Sequence, residues 1–293
     1  MKLKKGIRIG LIVLGGILLL AVVLGVLNAL VGGGNWYFGW QSYRYDDSGF
    51  ETGDGTVRAD GVRRIVVDWV DGEVEVVSCQ DRYLSMTEAC GEELTDANQL
   101  RWQLSEDGET LTVRYRKSSW FLSGSGRKNK KLILRIPERL QGTLASVTVE
   151  ATTASVTLSG VRADELTVSG TTGRVHVQDC TANTLEVHAG KGEIAADGTF
   201  AVAVRLEGGG NLALSSAICP SEVTMNSKAG KTVKLTLPEN SGFTMESNAT
   251  GVSHELPLTQ TGEGTYLCGE GGALVRIEAP KSELLIFARK DKT

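Results

Sequence analysis

The chain has 293 residues, 41% of them hydrophobic, with 36 glycines, 5 prolines, 5 cysteines and a formal net charge of −4. That apolar content suffices for a sizeable core, and so many glycines beside so few prolines exclude collagen-like and proline-rich chains. Removing Lys2, Lys4, Lys5 and Arg8 from the 31 basic residues leaves 27 against 35 acidic ones, which is not the footprint of a nucleic-acid binder.

The cations at the N-terminus form a basic tail over residues 1–8. From Ile9 to Val31 there is no charged residue. At about 1.5 Å per residue such a run spans a bilayer core of roughly 30 Å, so one transmembrane helix is predicted over 9–31. The run is longer than the apolar part of a cleaved signal peptide, and no small-x-small cleavage site follows it. With the basic flank on its N-terminal side, the positive-inside rule puts the N-terminus in the cytoplasm and the remainder outside the cell, at the cell membrane. Trp36, Tyr37, Phe38 and Trp40 stand where an interfacial aromatic belt belongs. Residues 32–60, opening on three glycines and rich in acids, read as a linker.

An extracytoplasmic domain is predicted over 61–290, with an irregular part at 61–140, regular coils at 141–240 and further coils at 241–290. Its signature is a 19-residue repeat. Val147, Leu166, Leu185, Val204 and Val223 are 19 apart, and Val149, Val168, Val187, Leu206 and Met225 keep the same step. Nine residues behind run Val156, Val175 and Ile194, continued by Leu212 or Leu214 and by Val233. Two short apolar-x-apolar segments per repeat, separated by polar turns, predict an all-β, right-handed parallel β-solenoid (β-helix) of about 19 residues per coil. Ala154, Gly173, Gly192, Asn211 and Gly230 fall in one column between the two strands, where a repeated left-handed corner is expected. Thr148, Thr167, Glu186, Arg205 and Thr224 alternate with the inward residues and are expected to face outward, Glu186 and Arg205 as an ion pair one coil apart. Toward the C-terminus, Val275/Ile277 and Leu284/Ile286 keep the nine-residue step, and Lys290 and Lys292 are placed to guard a sheet edge.

Cys79 and Cys90 flank an excursion from the repeat; their spacing allows a disulfide across that loop and equally two reduced thiols. Cys180 reads as a small buried side chain at a coil corner, and no CxxC or Cys/His spacing suggests a metal or cofactor. His176 is expected on an outward strand position and His188 at a turn, neither beside a carboxylate at ligand spacing.

The charge pattern singles out Arg114, Arg116, Lys117, Arg127, Lys128, Lys130 and Lys131, a stretch that also runs to Arg135 without an acid and carries Trp120 and Phe121 near its centre. If 111–116 and 131–136 pair as an antiparallel hairpin, the loop presents an apolar tip flanked by cations. That chemistry suits an anionic lipid surface, an anionic cell-wall polymer or an acidic envelope protein. The same charges also make an ordinary solvated face.

Three segments together resemble the bacterial putative-adhesin family, a β-solenoid domain of unknown function: Val67 to Val76, Leu132 to Pro137, and Leu166 to Val177 with its L-x-V-x-x-x-x-G-x-V-x-V form. The resemblance covers about residues 60–290. It implies a membrane-anchored envelope protein, in some members linked to stress responses in Gram-positive bacteria, and it supplies no catalytic or binding residues. The leading expectation is a non-enzymatic, adhesin-like binding or sensing module. A structural partner of another membrane protein is the alternative, and a glycan-processing enzyme, which would need carboxylates stacked on one outward face, is the remote one.

Overall fold

The computed structural model describes residues 49–58, 60–91, 93–94, 99–115, 130–228 and 230–290. The tail at 1–8, the segment 9–31 and the first part of the linker lie outside the described residues. Among the described residues no helix is long and apolar enough to cross a membrane.

The described chain is built from strands. β1 (Glu51–Thr52), β2 (Gly55–Arg58), β3 (Arg64–Trp69), β4 (Glu73–Cys79), β5 (Tyr83–Ala89), β6 (Arg101–Leu104), β7 (Thr110–Tyr115) and β8 (Lys131–Pro137) precede a single 3-10 turn at Glu138–Leu140. β9 (Ser146–Ala151), β10 (Ser155–Ser159), β11 (Arg162–Thr171), β12 (Val175–Ala189), β13 (Ile194–Gly208), β14 (Leu212–Ser216), β15 (Glu222–Ser227) and β16 (Thr232–Pro238) follow. The last are β17 (Phe243–Ser247), β18 (Gly251–His254), β19 (Leu258–Gly262), β20 (Thr265–Cys268), β21 (Ala273–Glu278) and β22 (Glu283–Arg289). Residues 51–58, which composition assigns to the linker, thus form two strands, and Val57 is buried.

These strands stack as two long faces of a β-solenoid. One face runs β2–β5–β8–β4–β10–β12–β13–β14–β16–β22–β18. The other runs β1–β6–β7–β3–β9–β11–β12–β13–β15–β21–β17–β20–β19. β12 and β13 give their first halves to one face and their last halves to the other.

The cause is visible in the register. Leu111, Ile65, Val147, Leu166, Leu185, Val204, Val223 and Val275 lie opposite one another in successive coils, all buried. Leu132, Val74, Val156, Val175, Ile194, Leu212, Val233 and Leu284 do the same on the opposite face, which settles Leu212 rather than Leu214 in that column. Each fully buried aliphatic side chain contributes roughly 1.5–3 kcal/mol, and a coil buries its columns only because neighbours cover them.

The step is 19 residues through the middle coils and shortens locally. Cys180 lies opposite Gly198, not Thr199, because the corner after β13's first half is one residue shorter. Ile218 is 40% exposed and does not share the buried corner of Val161 and Cys180. As the sequence indicates, Cys180 is buried, and that burial pushes its thiol up to about 11.

The glycine column has a different cause from the one its composition suggests. Of Gly173, Gly192 and Gly230, only Gly230 has positive φ. A Cβ on Gly173 would lie 2.3 Å from the carbonyl oxygen of Ala154, and one on Gly192 would lie 1.7 Å from that of Gly173. These glycines exist because consecutive coils touch backbone to backbone at this corner. The next in the column is Gly210, whose Cβ would meet the Gly192 oxygen at 2.3 Å; Asn211 lies one residue beyond it.

Both ends of the stack invert the chain order. The β3–β4 coil, first in sequence, lies between the β7–β8 and β9–β10 coils. The β21–β22 coil, last in sequence, lies between β15–β16 and β17–β18. β22 therefore has neighbours on both sides over Glu283–Ile286, and only over Phe287–Arg289, next to Lys290, does it pair with β16 alone. At the N-terminal end, antiparallel β5 and β6 cover the outer edges of β8 and β7, and antiparallel β20 and β19 terminate one face at the other end. Antiparallel caps occupy backbone groups that a parallel stack would leave open.

Candidate functional site

β7 and β8 do not form the antiparallel hairpin expected for the basic stretch. β7 belongs to one face and β8 to the other, each parallel to a strand of the β3–β4 coil. Alternating apolar residues look the same in a hairpin strand and in a coil strand, so the pattern cannot distinguish the two. Arg116, Lys117, Trp120, Phe121, Arg127 and Lys128 lie outside the described residues.

Arg114, Lys131 and Lys130, all described, occupy different environments. The Arg114 guanidinium stacks 3.6 Å from the centre of the Phe50 ring, and its strand position is opposite Asp68. Lys131 binds Glu75 at 2.5 Å and Glu73 at 3.7 Å, and the Glu75 bond holds its ammonium above the usual lysine range. Lys130 is not at the surface. Its ammonium lies 2.6 Å from Glu88, with both side chains 1% exposed, and 3.6 Å from the centre of the Tyr115 ring. Trp69 completes the enclosure at 5.5 Å. Burial pulls the Lys130 ammonium below its ordinary value, opposed by the Glu88 carboxylate. The sequence does carry a signal for this: Lys130 shares the inward parity of Leu132, Leu134 and Ile136, and Glu88 that of Leu84 and Met86.

A Cys79–Cys90 disulfide is excluded by register. β4 and β5 flank β8 on opposite sides, with Cys79 opposite Pro137 and Ala89 opposite Lys131. The two cysteines thus sit at opposite ends of β8, about 20 Å apart at the usual strand rise, far beyond the reach of a disulfide. Both thiols are free.

On the outward side of the long faces, the expected Glu186–Arg205 pair forms at 3.6 Å. His176 is exposed on its strand, in register with Thr157 and Ala195. His188 departs from expectation. Its Nε2 meets Glu186 at 2.8 Å and its Nδ1 meets Glu207 of the next coil at 3.1 Å. The His188 bond holds the Glu186 carboxyl below the usual range, so this carboxylate is a committed acceptor rather than a proton donor. The two contacts arise because coil stacking brings His188 opposite Glu207 while strand alternation puts Glu186 on the same side. There the coil turns leave an open groove of about 360 Å³ lined by His188, Gly190, Glu207, Gly209, Asn226 and Lys228 among others.

Further toward the N-terminal end, Asp68 lies opposite Glu150 in one neighbouring coil and Arg114 in the other. Burial, with Glu150 adding to it, raises the Asp68 carboxyl to about 6, against the opposing pull of Arg114. Among the described residues no three His, Cys, Asp or Glu side chains are grouped to hold a metal ion.

Fold and surface together define a β-solenoid domain whose polar residues are arranged coil by coil on its outer faces. The chain belongs to the Toastrack DUF4097 family, whose model matches residues 62–227, from β3 through β15. No curated protein matches the chain. Among solved structures, it is similar to a putative cell adhesion protein from Clostridium sporogenes at 11% identity and a TM-score of 0.42, covering 82% of this chain and 100% of that one. It is also similar to a putative adhesin from Bacteroides fragilis at 12% identity and a TM-score of 0.43, covering 82% and 97% respectively.

Proposed function

We propose that this protein is a non-enzymatic, adhesin-like binding or sensing module, held at the cell membrane by residues 9–31 and displaying its β-solenoid outside the cell. The observation that carries the reading is the interruption between β7 and β8. There the coil rhythm breaks, and the sequence carries Arg116, Lys117, Trp120, Phe121, Arg127 and Lys128 between two strands fixed in the stack. A mixed cationic and aromatic segment recognises an anionic surface, lipid or wall polymer, through about 1 kcal/mol per nearby cation plus apolar burial. Lys130 and Lys131 take no part, because their ammonium groups are committed to Glu88 and to Glu75 and Glu73. Membership in the Toastrack family and the uncharged N-terminal run support the placement.

The test compares the full chain with a variant carrying Arg116→Glu, Lys117→Glu, Arg127→Glu and Lys128→Glu, reconstituted in neutral vesicles and mixed with separate anionic vesicles. Clustering of the two vesicle populations by the natural chain and its loss in the variant supports the reading. Equal clustering by both, or none by either, sinks the lipid form; retention on purified anionic wall polymer would then identify the polymer as the surface.

A further inference from the structure

The N-terminal end of the solenoid is closed by a cap made from β1, β2, β5 and β6. β5 and β6 occupy the outer edges of β8 and β7 and run antiparallel to them, with β2 and β1 beyond. Apolar packing alone does not specify how β5 sits on β8. Leu84 and Met86 on β5 and Leu132, Leu134 and Ile136 on β8 alternate with period two, so a two-residue slip would still present apolar side chains inward. The Lys130–Glu88 contact breaks that degeneracy. It sets a buried cation against a buried carboxylate, and a slip would pull the two apart away from water.

The surroundings tie the pair to the rest of the cap. Glu88 Oε1 accepts the Leu100 N–H at 2.8 Å, linking the carboxylate to the chain entering β6. The Glu88 N–H donates to Asp54 Oδ1 at 2.8 Å, linking it to the turn between β1 and β2. Lys130 faces Tyr115 at the end of β7 and Trp69 at the end of β3. One ion pair therefore joins β5 and the start of β6 to the first two coils, and it does so with charges, which are less stabilising in a core than apolar side chains of the same size.

We propose that the Lys130–Glu88 pair is the latch of this cap: it fixes the register of β5 on β8, and its opening frees the cap before the rest of the solenoid unfolds. The latch stands on the described side chains and is independent of the anionic-surface reading above.

Hydrogen–deuterium exchange on the full chain in detergent, natural against Glu88→Gln and Lys130→Met, tests the latch. Either change breaks the buried contact between the two charges, so amides of β5, β6 and β8 should exchange roughly a hundredfold faster while those of β12 to β14 hold their rates. The double variant should be no worse than the singles, since both singles remove the same contact. Glu88→Gln retains an oxygen for the Leu100 bond and replaces the oxygen that faces Lys130 by an uncharged NH2 of nearly the same size, so it carries the test if Lys130→Met does not fold. Exchange rising evenly across cap and central coils, unchanged exchange in the cap, or summed effects in the double variant would overturn the latch.

Discussion

Gly192 rests directly on Gly173: a Cβ at Gly192 would stand 1.7 Å from the Gly173 carbonyl oxygen, one coil below. The contact defines how closely two coils approach at this corner, and the same approach recurs between Gly173 and Ala154 and between Gly210 and Gly192. Gly192→Ala must push two backbones apart and disturb hydrogen bonds on both sides. The expected loss is about 2–4 kcal/mol of unfolding free energy. Gly142→Ala, with nothing within 4 Å of its new Cβ, should change stability by under about 0.5 kcal/mol. Urea unfolding of both variants checks the contrast, and equal stabilities would contradict the close approach.

Asp68 makes stability depend on pH in a stated direction. Its folded carboxyl titrates near 6, above the ordinary 3.8, because burial and Glu150 disfavour the charged form. The folded state therefore holds this proton more tightly than the unfolded state. This group's contribution falls as pH rises from about 3.8 to 6 and stays lost above that. Asp68→Asn removes the charge at all pH values. At pH 8 the variant should be the more stable by about 1 kcal/mol, the figure being held low by solvent screening of a part-exposed group. At pH 4 the two should unfold at nearly the same temperature. Thermal melts at the two pH values decide, and a gap that is larger at pH 4 would reverse the assignment.

The C-terminal coil is expected to behave as an interior layer. Deleting residues 273–293 removes β21 and β22, which lie between β15–β16 and β17–β18. The loss should reach beyond the deleted strands and destroy protection in β17 to β20, while β9 to β13 stay protected. Limited proteolysis with mass spectrometry shows it as new cleavage between residues 239 and 272. A truncated chain cleaved no faster there than the natural one would mean that β17 to β20 stand without their neighbour.

How much of this was legible beforehand differs from element to element. The columns from Val147 to Val223 were readable because a coil that buries two alternating side chains per face must repeat them at its own circumference. The outward Glu186–Arg205 pair followed from the same arithmetic. The His188 contacts were missed although the same step reaches them: Glu207 lies 19 residues on and Glu186 two residues back on the same face. Lys130 was misread as surface charge because composition gives a lysine its usual exposure, whereas its parity with Leu132 pointed inward. The Cys79–Cys90 pairing was plausible along the chain and failed in space, because both flanking strands use β8 as a common neighbour and place the thiols at its two ends.

The sequence by itself determined the class of fold, the coil length and the inward faces, because hydrophobic burial at period two and at period 19 is written residue by residue. It also determined the uncharged run at 9–31 and the cationic, aromatic composition of 116–128. Only the tertiary structure decided the order of the coils at either end, the backbone contact that requires glycine at 173, 192 and 210, and the burial of Lys130 against Glu88. Those features depend on which strand lies beside which. A repeating pattern makes several neighbours nearly equivalent, so the choice among them falls to caps, corners and single buried charges.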